Sequence, residues 1–306
     1  MKILIATEKS FSTEAVQSIK STIEDANQEF ALLENYTEKQ SLLKAVENID
    51  AIIIRSDIID AEVMNAAKNL KLIVRAGAGY DNVDLKTATE KNICVMNTPG
   101  QNANAVAELV FGLCIFSLRN AFDGSSGREL LGKKIGLHAF GNVARNVARI
   151  AKGFGMEVYA FDPFCTKEQI ESEGVIHTTS VEDLYSKCQF VSLHIPATDA
   201  TRNSINYALL NRMPKNAVLI NTARKEVINE KELEQVMQER GDFSYLSDVK
   251  PSNDSDLKAK FPKQYFATPK KAGAQTEEAN MNAGIAAAKQ TINFLINKDQ
   301  TFRVNK

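Results

Sequence analysis

Short, continuously apolar runs alternate with helical segments along almost the whole of this 306-residue chain. "KILIA" (2–6), "AIIIR" (51–55), "KLIVR" (71–75) and "ICVMN" (93–97) form a first series. "KIGLHAF" (134–140), "MEVYAFD" (156–162), "FVSLHI" (190–195), "AVLINTA" (217–223), "YLSDV" (245–249) and "YFATP" (265–269) form a second. Runs without polar alternation are strands covered on both faces, so the sheets are parallel with helices on either side. Two series predict two α/β domains, each a doubly wound parallel sheet. Pro99 and Gly100 in "NTPGQN" (97–102) end the first series, and a helix over about 102–120 leads into the second. The last helix begins near Thr276, with Glu277 and Glu278 favourably placed in its first turn.

Charge and composition exclude several functions. Thirty-seven basic residues against 38 acidic ones leave a net charge of −1, which removes the general electrostatic case for nucleic acid. The longest apolar run, "LVFGLCIFSL" (109–118), is too short to span a bilayer and reads as a buried helix. "MKILIATEKS" returns to charge too soon for a signal peptide. Cys94, Cys114, Cys165 and Cys188 lack the paired spacing of a zinc or redox site, and Cys94 and Cys114 read as small core residues. The expectation is a reduced, cytoplasmic protein without metal, membrane or nucleic-acid partner.

"KIGLHAFGNVARNVARIAKGFGMEVYAFD" (134–162) has the layout of a dinucleotide-binding βαβ unit: strand, tight turn, helix, strand and terminal acid. The usual G-x-G-x-x-G stands here as Ala139, Phe140, Gly141, Asn142, Val143 and Ala144. Gly141 keeps the position where backbone approaches a pyrophosphate most closely, and Ala144 still permits close helix–strand packing. Ala139 departs from the pattern, because the first glycine normally serves the turn. The degraded motif alone would fit a crossover without ligand equally well. Asp162, 21 residues after Gly141, stands where a carboxylate grips both ribose hydroxyls. Pro163 and Phe164 beside it offer nothing to a 2′-phosphate, so NAD is expected over NADP.

"VRAGAGYDNVDL" (74–85), "VMNTPGQNANAVAEL" (95–109), "VSLHIPAT" (191–198) and "LINTARKEVINE" (219–230) occur in the order of a known family. With the βαβ unit they resemble the D-isomer-specific 2-hydroxyacid dehydrogenases, and most of all the short D-3-phosphoglycerate dehydrogenases. The resemblance implies two Rossmann-like domains with the active site in an interdomain cleft. Residues 1–98 plus 277–306 would bind substrate, and residues 99–276 would bind NAD. It implies a homodimer that oxidises a small phosphorylated 2-hydroxy acid. The chain ends at Lys306 straight after its final helix, so the C-terminal regulatory domain of many relatives is expected to be absent.

Site residues follow from the same resemblance. Backbone N–H groups of Arg75, Ala76, Gly77, Ala78 and Gly79 would hold the substrate carboxylate. Arg55 and Arg75 each end an apolar strand, where two guanidinium groups suit a phosphate; a pair of salt bridges is the alternative. Arg224, in "NTARKE", matches the arginine that grips the carboxylate and polarises the carbonyl. Thr222 and Ala223 precede it along the cofactor, His194 and Pro196 line the cofactor site, and Asp248 corresponds to the aspartate at the nicotinamide end. His194 can equally be a structural histidine, and His138 reads as core.

The family's histidine–glutamate pair is missing. Relatives carry a run like P-H-x-G-x-S-T-x-E-A where this chain has "PKKAGAQTEEA" (269–279). Matching Gly273, Ala274, Thr276, Glu278 and Ala279 puts Lys271 on the histidine position; a later insertion would put Lys270 there. The glutamate position falls on Asn253, with Asp254 the nearest acid. Two classes therefore stay open: a dehydrogenase with Lys271 as acid/base, and an NAD-binding sensor without chemistry. A reductase of hydroxypyruvate or glyoxylate is a further enzymatic alternative. The arginines and the 75–79 loop favour an enzyme.

Overall fold

The apolar runs fold into two all-parallel sheets in the computed structural model, which describes residues 1–305. The chain divides into two units, residues 1–102 with the segment from Thr276 onward, and Ala103–Gln275. The first unit contains β1 (Lys2–Thr7), β2 (Glu29–Glu34), β3 (Ala51–Ile54), β4 (Leu72–Arg75) and β5 (Cys94–Asn97). Their order across the sheet is β2-β1-β3-β4-β5. Successive strand residues face opposite sides, so one face buries Ile3, Ile5, Ile53 and Val74 under Ala283, Ala287 and Phe294 of the helix Glu277–Asn297. The other face buries Leu4, Ile52, Ile54 and Ile73 with Leu42, Val63 and Met64. Each such aliphatic side chain contributes about 1.5–3 kcal/mol on leaving water.

The second unit contains β6 (Lys134–His138), β7 (Glu157–Phe161), β8 (Ile176–His177), β9 (Phe190–Leu193), β10 (Val218–Asn221), β11 (Ser244–Ser247) and β12 (Tyr265–Ala267). Their order is β8-β7-β6-β9-β10-β11-β12. Ile135, Leu137, Val158 and Ile220 pack beneath Val110, Cys114, Ala144 and Val147 of the helices Ala103–Leu118 and Asn142–Gly153. Val191, Leu193, Leu219 and Tyr245 pack on the opposite face with Leu184, Tyr185 and Val236. The chain reverses its direction across the sheet between β1 and β3 in the first unit and between β6 and β9 in the second. Ligands of open α/β sheets bind beyond the carboxyl ends of strands at such points.

Two strands were not visible as apolar runs. β2, "EFALLE", is an edge strand with half-exposed residues, and β8 has two residues only. All four cysteines are free thiols. Burial raises Cys94 to about 11 and both Cys114 and Cys188 to about 12, which makes them inert packing groups. No helix among the described residues is long and apolar enough to cross a membrane. No group of three His, Cys, Asp or Glu side chains among them is placed to hold a metal ion.

Candidate active site

In the second unit every residue expected at the cofactor lies at or just beyond the carboxyl end of a strand. Ala139 and Phe140 follow β6, and Gly141 caps the helix Asn142–Gly153 without a side-chain hydrogen bond. Its first-turn N–H groups therefore lack the side-chain acceptor that Thr276, for example, gives the last helix. A Cβ built on Gly141 meets no atom within 4 Å, and its φ of −84° suits any residue. Neither packing nor φ calls for glycine there, and the open helix N-terminus suits close approach of an anion. Ala139, by contrast, sits at φ 81°, where glycine is the unstrained residue.

Asp162 follows β7 and closes the turn. One carboxylate oxygen accepts the Phe140 N–H at 2.7 Å and the other the Phe164 N–H at 2.8 Å. Each oxygen keeps a further lone pair for a hydroxyl donor. Val143 is partly buried against the core on the inner side of the same helix, beside Ala144.

His194 follows β9, and its backbone N–H donates to the His138 carbonyl at 3.0 Å across the reversal point. Burial, with His138 adding to it, pushes His194 down to about 3, so the ring is neutral at physiological pH. Its Nε2 is buried without a partner, as is Oγ1 of Thr222 beyond β10. Orphaned buried polar atoms at this edge are what a bound dinucleotide would satisfy. Pro196 is exposed, and its carbonyl accepts from Thr201. Asn221, buried at the end of β10, shapes the segment carrying the arginine. Its Oδ1 accepts from Ala223 N at 3.0 Å and its Nδ2 donates to Arg224 O at 2.9 Å. The Arg224 guanidinium folds back onto the Ala223 carbonyl at 2.9 Å. Taken together, these residues fit NAD.

Asp248, fully enclosed at the end of β11, organises the lysine loop. Its Oδ1 accepts from Thr268 Oγ1 and from Ala272 N, each at 2.7 Å, and its Oδ2 accepts from Gly273 N at 2.9 Å. Lys270 and Lys271 are exposed on the span between these anchors. The two residues considered for the missing glutamate have structural partners. Asn253 Nδ2 donates to Glu234 at 3.3 Å, while Asp254 accepts from Tyr265 at 2.8 Å and pairs with Lys258 at 2.9 Å. Sequence reasoning missed Thr268 and Gly273. Only the pairing of β11 with β12 brings them to Asp248.

In the first unit the loop after β4 carries the expected carboxylate donors, and the structure sorts them. Ala76 N donates to Ile54 O and Gly77 N to Arg75 O, both at 2.8 Å. Among the described residues, the Ala78 and Gly79 N–H groups have no protein acceptor. Gly77 has φ 149°, and a Cβ there would fall 1.5 Å from the Arg75 guanidinium, so glycine lets that side chain lie over the loop. Arg75 Nε donates to the Arg55 carbonyl at 3.0 Å. Arg55 ties three segments together: Nη1 donates to the Lys9 and Ser10 carbonyls at 2.9 and 3.0 Å, and Nη2 to Asn280 Oδ1 at 2.6 Å. It also lies 5.0 Å over the Phe11 ring, and burial lowers its pKa from the usual arginine value.

The fold and the βαβ turn define a nucleotide-binding α/β protein, and comparison with known proteins sharpens that class. Residues 117–269 match the NAD binding domain of the D-isomer specific 2-hydroxyacid dehydrogenases. The hydroxypyruvate reductase of Thermotoga maritima is 34% identical over 275 residues, covering 84% of this chain and 89% of that protein. The D-3-phosphoglycerate dehydrogenase of Methanocaldococcus jannaschii is 35% identical over 269 residues, covering 82% of this chain and 51% of that protein. The chain thus spans about half the length of the curated D-3-phosphoglycerate dehydrogenases it matches. A crystal structure of NAD+-bound 3-phosphoglycerate dehydrogenase from Entamoeba histolytica superposes with a TM-score of 0.90 at 43% identity. It covers 100% of this chain and 99% of that one. The chain belongs to the D-isomer specific 2-hydroxyacid dehydrogenase family, and NAD is its cofactor.

Proposed function

We propose that this chain oxidises D-3-phosphoglycerate to 3-phosphohydroxypyruvate, the first step of the phosphorylated route to serine. The observation that carries the reading is the likeness to the Entamoeba histolytica enzyme, at 43% identity with 100% of this chain and 99% of that one covered. NAD, when bound, supplies the hydride acceptor. Ala78 and Gly79 hold the substrate carboxylate through their N–H groups, and Arg224 polarises the carbonyl on which negative charge develops. Arg55 and Arg75 hold the phosphate. Lys271 moves the hydroxyl proton: an ammonium group is a loaded acid at neutral pH and serves reduction directly, whereas oxidation needs the free amine. Oxidation therefore rises into the alkaline range while reduction works well at neutral pH.

One observation favours a second reading, reduction of hydroxypyruvate or glyoxylate. Both Arg55 terminal nitrogens already donate to protein acceptors, so a phosphate would have to displace them. The test is NADH oxidation with 3-phosphohydroxypyruvate, hydroxypyruvate and glyoxylate. The phosphorylated substrate should lead in kcat/KM by tenfold or more, and Arg55→Ala should reduce that lead about ten- to a hundredfold. Equal efficiencies favour the second reading. Lys271→Met should lower kcat by about 10²–10⁴ while NADH affinity stays near normal, and Lys270→Met should do much less. Exchanged behaviour moves the role to Lys270; full activity in both removes it from the loop.

A further inference from the structure

Among the described residues, two N–H groups of the 76–79 loop, those of Ala78 and Gly79, are left without a protein acceptor, and a side chain outside the loop determines where one of them points. β4 and β5 run in register, with Arg75 opposite Asn97 at their carboxyl ends. The chain leaving β4 then passes over the end of β5. There the Thr98 N–H donates to the Gly77 carbonyl at 2.9 Å, and Asn97 Nδ2 donates to the Ala78 carbonyl at 2.6 Å. The peptide bonds among the described residues are trans, so each carbonyl of this loop is fixed opposite the N–H of the following residue. Holding Gly77 O toward β5 turns the Ala78 N–H away from it, and holding Ala78 O does the same for Gly79. Two successive N–H groups facing one side form a concave anion site. Asn97 is buried to nine-tenths and can keep this geometry before any ligand arrives.

We infer that Asn97 is a positioning residue for the substrate carboxylate: its side-chain amide aims the Gly79 N–H into an anion site shared with Ala78. The inference rests on the proposed role of this loop in binding the carboxylate. Asn97 itself touches no substrate; it acts through the Ala78 carbonyl. Asn97→Leu removes the donor and frees the peptide to rotate. Asn97→Asp keeps the shape, sets an acceptor against the Ala78 carbonyl and adds a negative charge beneath the anion site.

The experiment compares the 2-keto acid turned over fastest in the assay above with its methyl ester. The readouts are the acid-to-ester ratio of kcat/KM, the KM and kcat separately, and NADH affinity from fluorescence. The parent enzyme should prefer the acid at least a hundredfold. Asn97→Leu should cut that preference about tenfold, mainly through KM, and Asn97→Asp should cut it further, both with NADH affinity intact. The isosteric aspartate variant keeps the test available where the leucine variant fails to fold. A parent ratio near one overturns the carboxylate reading of the loop and the inference with it. A high parent ratio that survives both substitutions overturns the inference alone, as does a ratio that falls only in step with NADH affinity.

Discussion

Two neighbouring positions in one turn carry opposite misfits between residue and conformation. Gly141 is a glycine that the protein alone does not require, and Ala139 is an alanine held at φ 81°. Adding a methyl group at Gly141 meets no protein atom within 4 Å, and the entropy it removes from the unfolded chain offsets the poorer N-cap it makes, so Gly141→Ala should shift the melting temperature by no more than a few degrees. Where the pyrophosphate lies at this turn, as the βαβ pattern predicts, the same methyl group obstructs its close approach, and the Kd for NADH should rise tenfold or more, about 1.4 kcal/mol. Ala139→Gly should act in the reverse sense. Relief of about 1–2 kcal/mol of backbone strain outweighs roughly 0.5–1 kcal/mol of added chain entropy, for a gain of a few degrees in thermal unfolding. Unaltered NADH affinity in Gly141→Ala would remove the reason given for that glycine.

At the scale of elements, the loop after β12 is held by Asp248 through Thr268, Ala272 and Gly273. A carboxylate suits three donors; an amide offers one acceptor oxygen and turns an NH2 group toward at least one of them. Asp248→Asn should cost about 1.5–3 kcal/mol, and hydrogen exchange at the Ala272 and Gly273 amides should accelerate. Thr268→Val, which leaves both backbone donors satisfied, should have the smaller effect; equal protection in all three proteins would mean the loop is held by something else. The lysines on this loop were legible in the sequence, and so were the strands that position it. An apolar run flanked by helices specifies a buried strand without help from the rest of the chain. Edge strands do not announce themselves in this way, and "EFALLE" is half exposed along its length. Hydrogen bonds such as Gly273 to Asp248, 25 residues apart, or Asn97 to Ala78, depend on strand register, and no local pattern encodes them.

Over the whole molecule, each sheet is covered on both faces, and that burial has an acid consequence concentrated in Ala103–Gln275. His138 is enclosed beside Tyr185 and Phe161, with Nδ1 3.2 Å from the Tyr185 hydroxyl. Burial lowers it to about 4, the Asp162 charge opposing only in part, and lowers His194 to about 3. Both folded values lie below the ordinary histidine value of about 6.5, so the unfolded chain takes up protons that the folded one refuses. The stability associated with these neutral rings is complete above pH 6.5 and is lost as pH falls toward 4. Each withheld proton tilts the unfolding free energy by up to about 1.4 kcal/mol per pH unit. Carboxylates with lowered values, such as Asp50 and Asp60, act below the ordinary range for aspartate, so the interval from pH 6.5 to 5 reports mainly on the histidines. Denaturant unfolding of the cofactor-free protein should show stability falling across that interval. His138→Asn should reduce the slope by about half, whatever it does to the absolute stability. A slope unchanged in a variant lacking both His138 and His194 would place the acid sensitivity elsewhere in the chain.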